Sequence, residues 1–327
     1  MRRRDVIGLF AALAWQGAPA FAQNSHKRSL IGFLSPGAQQ FTMYHTAPAF
    51  LQGMRDLGYV EGRDFDVAYR FSEGYQDRLP ALAEELVKLR PHVILASAVV
   101  AAAAARQATS SIPIVCPALA DAVHLALVVS EARPGGNVTG IEPYVAGLPA
   151  KQMELAREIV PGASSVGLLT NMKDPKAPPQ MQELEATARA LEVKMLSADA
   201  NQPEDLDDAL QTLARARVDV VIVLQTSMLI SENARIAQSA LAKRLPTVYG
   251  YREHVVAGGL ISYGVDLRWC FHRGAYFVDK ILHGIPAGEL PVEFPTKVLL
   301  SVNLKTAKAL GLTVPPTLLA RADEVIE

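Results

Sequence analysis

Short apolar runs alternate with stretches of helical period along nearly the whole chain, and this rhythm stops once and then restarts. Residues 30–34 are apolar and stop at Ser35-Pro36-Gly37, and a helical stretch over 46–57 follows, ending at Gly58. Residues 64–71 alternate as a strand, and 77–89 place Leu79, Leu82, Leu86 and Leu89 on one helical face. A buried strand over 93–96 runs into Ser97, an alanine-rich helix covers 98–109, and 112–116 make the next strand. Parallel strands need a crossover between them, and a helix is the usual crossover, so this order predicts an α/β fold with a parallel sheet covered on both faces.

The turn-forming cluster Arg133-Pro134-Gly135-Gly136-Asn137 breaks the rhythm, and 138–141 read as an extended segment leaving the first unit. Helices over 150–159, 179–191, 203–216 and 231–243 then alternate with strands over 165–169, 192–196, 219–224 and 246–249. Residues 260–263 are again extended, and the helix over 266–282 is expected to return to the first unit. The fold class expected is therefore two doubly wound parallel-sheet lobes joined by a hinge. The N-terminal lobe is assigned to 27–142 with 262–290, and the C-terminal lobe to 143–261 with 291–327. A chain of 327 residues is long enough for two such cores without disulfide or metal staples.

Arg2, Arg3 and Arg4 precede an apolar run from Val6 to Trp15, and Ala20-Phe21-Ala22 offers small residues where a leader is cut. Residues 1–22 are read as a signal peptide, cleaved near Ala22 to give a soluble periplasmic product; no cysteine stands there for a lipid anchor. The paired arginines fit either the general or the twin-arginine route, which stay open. With 32 Lys and Arg against 33 Asp and Glu, the charge balance gives no reason to expect nucleic acid as a partner. Cys116 and Cys270 read as two buried thiols, although an oxidising compartment also permits a bridge. No His-Glu-x-x-His, Gly-x-Ser-x-Gly or Gly-x-x-x-x-Gly-Lys pattern occurs, and the histidines lack metal-ligand spacing, so no catalytic residue, metal or cofactor is assigned.

Four stretches carry a family likeness: Leu57-Gly58-Tyr59-Val60-Glu61-Gly62, Arg133 to Gly140, Tyr249-Gly250-Tyr251-Arg252-Glu253, and Asn303 to Leu312. In these the chain resembles the ABC transporter substrate-binding family often labelled tryptophan- or tyrosine-binding. The resemblance implies a type I periplasmic binding fold, a ligand gripped between lobes, and a membrane permease and ATPase as partners of a monomeric protein. It points to an aromatic or amino-acid-like carboxylate as ligand, although Ala118-Leu119-Ala120-Asp121 departs from the Gly-Asp-Pro turn of many relatives. A sensor that docks on a membrane receptor would share the same cleft, and an α/β hydrolase-like enzyme is a third reading.

Ligands of open parallel sheets bind beyond the carboxyl ends of the strands. That rule nominates Ser35 and Pro36 after the first strand, and Ser97, Ala98 and Val99 after the third, where a helix start could hold a carboxylate. Ser97 could equally serve as a plain helix cap. Asp121 is the candidate partner for a ligand ammonium, or an ordinary turn residue. Asn171, Thr226 and Ser227 follow strands of the second lobe, where loop capping is the competing role. Tyr249, Tyr251 and Tyr263 could each turn a ring into the cleft, and Phe41 with Tyr44 could form a lid.

Overall fold

The computed structural model describes residues 28–143 and 145–327, and the expected leader at 1–22 lies outside them. The chain begins with β1 (Ser29–Ser35), a short turn α1 (Gln39–Phe41), a π turn (Thr42–Thr46), α2 (Ala47–Asp56), β2 (Phe65–Phe71) and α3 (Leu79–Lys88). It continues through β3 (Val93–Ala96), α4 (Val99–Ala108), β4 (Ile114–Cys116) and β5 (Val138–Gly140). These strands form a five-stranded sheet in the order β2-β1-β3-β4-β5, with every pair parallel. β1 and β3 lie inside the sheet with helices on both sides, so their apolar runs are continuous; β2, at the edge, alternates instead.

α5 (Leu148–Ile159) opens the second unit, followed by β6 (Ser165–Thr170), α6 (Ala177–Ala190), β7 (Lys194–Asp199), α7 (Leu206–Arg215) and β8 (Val220–Val223). Next come α8 (Ser227–Ser231), α9 (Asn233–Ala242), β9 (Thr247–Tyr249), α10 (Arg252–Val256) and β10 (Ile261–Val265). α11 (Leu267–Leu282) then packs into the first unit, after which β11 (Val298–Asn303), α12 (Leu304–Leu310), α13 (Pro316–Leu319) and β12 (Glu324–Ile326) rejoin the second. The second sheet has seven strands in the order β12-β11-β10-β9-β8-β6-β7. Its one antiparallel pair is β10 with β11, where Val265 faces Val298. The direction follows from the path: the chain leaves the sheet at Val265, visits the other lobe as α11, and comes back in at the same end.

Alternate residues of β1 divide the first lobe's interior. Ile31 and Phe33 pack with Phe50 of α2 and Phe271 of α11 on one face, whereas Leu34 meets Leu86 of α3 and Ala101 of α4 on the other. α2 and α11 approach so closely that a Cβ on Gly53 would sit 2.3 Å from the His272 carbonyl oxygen, which explains a glycine inside a helix. Cys116 and Cys270 are free and buried in these two cores. The second lobe has its own core, with Leu168, Val221, Ile222 and Val248 at its centre. Three crossings join the lobes, after β5, between β10 and α11, and before β11; the first and last are tied by the Ile141–Glu293 bridge. Among the described residues no helix is long and apolar enough to cross a membrane.

Candidate ligand-binding site

β1 has β2 on one side and β3 on the other, so the connections after β1 and β3 leave toward opposite faces and open a crevice at the strands' carboxyl ends. β6 repeats this reversal in the second sheet, flanked by β7 and β8. The two crevices face each other. Ser35, Pro36, Ser97 and Ala98 come from the first and Lys176, Thr226 and Ser227 from the second, and all of them line one cavity. Phe41, Thr42 and Thr46 enter from the π turn and its preceding residue, a helical irregularity often found at functional positions. Ala118, Ile230, Tyr251, Leu267 and Phe271 supply the remaining, mostly apolar walls. The cavity is partly open to solvent: the space between its atoms is about 430 Å3, open solvent included, of which about 40 Å3 admits water-sized occupants.

The polar groups around this cavity differ in how far they are already engaged. Ser35 Oγ is 2.9 Å from Thr42 Oγ1 and accepts the Gly37 amide. The Ser97 amide donates to the Leu34 carbonyl at 2.9 Å, while the N-cap of α4 is Ala98 with no side-chain cap bond, so Ser97 does not serve as the cap. The first amides of α4 are therefore left facing the cleft end of the helix. Thr226 Oγ1 is buried and has no hydrogen-bond partner among the described residues. Ser227, by contrast, donates both its amide and its hydroxyl to Asp174 Oδ2 at 2.8 and 2.9 Å. Asp174 Oδ1 accepts the Lys176 amide at 3.0 Å, which fastens the loop carrying Lys176 to the start of α8.

Lys176 is only 5 % exposed and forms no ion pair among the described residues. Burial alone would pull its pKa down, but Tyr251, Asp174, Cys116 and Glu142 outweigh that and hold it above the ordinary lysine value, so the side chain stays an ammonium. Glu142 is buried near this group; its oxygens face the Asp121 amide at 2.7 Å and the Ala122 amide at 3.5 Å. Burial raises the Glu142 pKa against the pull of those amides and of Lys176.

Of the residues nominated from sequence, Ser35, Pro36, Ser97, Ala98, Thr226, Ser227 and Tyr251 line the cavity, and Phe41 joins them. Val99 is buried in the first lobe's core behind them. Asp121 is exposed, takes φ 48° in a turn, and does not line the cavity. Asn171 is fully buried away from it with both side-chain polar atoms unpartnered. Tyr249 is packed in the second core and stacks on His254 at 4.4 Å, and Tyr263 packs against the same core. Tyr44 is exposed beside an outer groove that also holds His45, Glu232, Arg235 and Glu253. Sequence reading missed Lys176, the two threonines of the π turn, and the α11 residues Leu267 and Phe271. The strand-end rule reached Asn171 and stopped five residues short of Lys176.

Contacts across the mouth hold the lobes together. The Ala38 amide donates to Ser231 Oγ at 2.6 Å, and the Tyr75 hydroxyl bonds Glu204 across the same gap. Ile230 and Tyr251 of the second lobe pack into the first lobe's core.

Comparison with known proteins follows this geometry. A family model described as ABC transporter substrate binding protein matches residues 39–326. A tyrosine-binding protein of Clostridioides difficile (strain R20291) is 24% identical over 289 residues, covering 88% of this chain and 83% of that protein. A conserved domain protein from Vibrio cholerae superposes with a TM-score of 0.84 at 28% identity, over 91% of this chain and 100% of the other. The ABC domain of Streptococcus pneumoniae in complex with L-Trp superposes at 0.82 with 22% identity and the same coverage.

Proposed function

Because this chain belongs to the ABC transporter substrate-binding protein family, we propose that it is the exported, periplasmic solute-binding subunit of an ATP-driven importer. It captures a small aromatic or amino-acid-like carboxylate between its lobes and presents the closed complex to a membrane permease and its ATPase. The observation that carries this reading is the single cavity lined by strand ends of both sheets, which exists as a site only when the lobes meet. Binding would then be coupled to closure, because only the closed form contacts the ligand from both sides. The role is non-catalytic, in keeping with the substrate-binding proteins whose family model this chain matches.

The test is calorimetry and small-angle X-ray scattering on the mature protein with amino acids and small aromatic carboxylates. Binding with a decrease in radius of gyration is expected. A protein that binds none of them, or binds without any change in dimensions, would count against the proposal.

A further inference from the structure

The reading above leaves open which charges the ligand bears, and the cavity itself bears on that. Among the described residues that line it, Lys176 is the one charged side chain, and none is Asp or Glu. The ammonium is nearly fully buried, and no carboxylate among the described residues lies within ion-pair distance. Asp174 and Glu142 lie near enough to favour the ammonium, but neither touches it, and a buried ammonium with no contact partner is incompletely stabilised. Thr226 Oγ1 is buried without a partner on the same wall, and the uncapped amides of α4 begin at Ala98 on the facing wall. These donors belong to residues of both lobes that line one space, large enough for a carboxylate group.

An α-ammonium on the ligand would have nowhere comparable to go. The two carboxylates nearest the site are already engaged: Asp174 accepts from Lys176 and Ser227, and Glu142 from Asp121 and Ala122. Asp121, the residue that the sequence offered as an ammonium partner, is exposed and outside the lining. A ligand ammonium would share a small apolar cavity with the Lys176 ammonium. A dianion is disfavoured in turn, because Lys176 offers one positive charge to contact and the nearby Asp174 and Glu142 would repel a second negative charge. Phe41, Ile230, Leu267 and Phe271 surround the rest of the space with apolar surface.

We infer that, if this cleft binds a solute as proposed above, the solute is a monocarboxylate with an uncharged, largely apolar body, held by Lys176 and Thr226, and not a zwitterionic amino acid. This departs from the amino acids named for the tyrosine-binding protein and the L-Trp complex.

The experiment is a thermal-shift and calorimetric comparison on the mature protein with four sets of probes. The first pairs amino acids with their desamino carboxylates, namely phenylalanine with 3-phenylpropanoate and leucine with 4-methylpentanoate. Benzoate and 4-hydroxybenzoate extend the carboxylate set; polyols and simple amines form the neutral and cationic sets. Desamino carboxylates are expected to bind at least about tenfold more tightly than the matched amino acids, in keeping with a polar mismatch in a desolvated site. Lys176→Met, checked for folding by circular dichroism, is expected to weaken carboxylate binding by roughly thirtyfold or more. Thr226→Val, nearly the same shape, gives a second variant with a smaller loss. Binding confined to amino acids, amines or polyols, or a carboxylate affinity unchanged in both variants, overturns the inference and leaves solute binding standing. Silence with every probe overturns both.

Discussion

Glu253 and His254 stand side by side in α10, each 2 % exposed, and burial moves their protonation in opposite senses along the pH axis. Burial is the main reason that the Glu253 pKa is pushed up to about 7; the negative charge of Asp266 adds to it, while Arg252 and Arg268 oppose it. Burial likewise drives His254 down to about 3, although it bonds the Leu229 carbonyl. A carboxyl whose folded pKa lies above its unfolded value binds more protons folded than unfolded between the two, so it loses stability as pH rises from 4.5 to about 7. His254, with its pKa lowered, loses stability as pH falls below 6.5. Glu253→Gln keeps the histidine and removes the carboxyl. Relative to the parent protein it should gain on the order of 3 kcal/mol across that interval, read as the difference between denaturant melts at pH 5 and pH 8. Equal differences at both values would mean that Glu253 is solvated. Nothing in the sequence reveals this pair, since three consecutive polar residues, Arg252-Glu253-His254, give no sign of burial. Lys176 was hidden for a similar reason: local pattern reports the strand end, whereas burial of a lysine depends on the other lobe covering it.

At the level of elements, the helix pair α2 and α11 shows where ordinary propensity gives the wrong sign. Gly to Ala in a helix interior usually gains about 1 kcal/mol. Gly53→Ala would instead press a methyl against the His272 backbone and Ala275, and a loss of about 1–3 kcal/mol is expected, the range for overpacked cores. A thermal melt that rises in the variant would show that the two helices can slide apart freely. The alternation of apolar runs with helical stretches made most elements legible, including the return of 266–282 to the first lobe, because continuous runs such as Val220–Val223 mark strands covered on both faces. The π turn at Thr42–Thr46 was not legible, since its backbone register is set by packing and not by any residue preference. The antiparallel β10–β11 pair was missed because a pattern of burial carries no strand direction.

For the molecule as a whole, the closed arrangement depends on a few contacts across the mouth. Ser231→Ala removes the acceptor for the Ala38 amide without touching the cavity lining. If closure is coupled to capture, the loss of about 1 kcal/mol from the closed state should weaken ligand affinity about fivefold, mainly through faster release. Rapid-mixing fluorescence measures this directly, and an unaltered release rate would place the closing energy elsewhere, with Tyr75 and Glu204 the next candidates. The doubled rhythm made the strand ends legible, and the rule that ligands bind beyond them nominated Ser35, Ser97 and Thr226, which line one cavity; the facing of one crevice against the other was not legible, because it rests on contacts between residues far apart in the chain.

The lysine in the cleft also bears on the proposed transport role, in which an empty subunit should not spend ATP. With the lobes apart, water solvates that cation; bringing them together around nothing strips the hydration away and leaves Asp174 and Glu142, neither of them in contact with it, to compensate. If the chain serves an importer as proposed, a single side chain would thereby discourage futile docking of an unloaded subunit, a thermodynamic interlock that the right cargo releases on arrival.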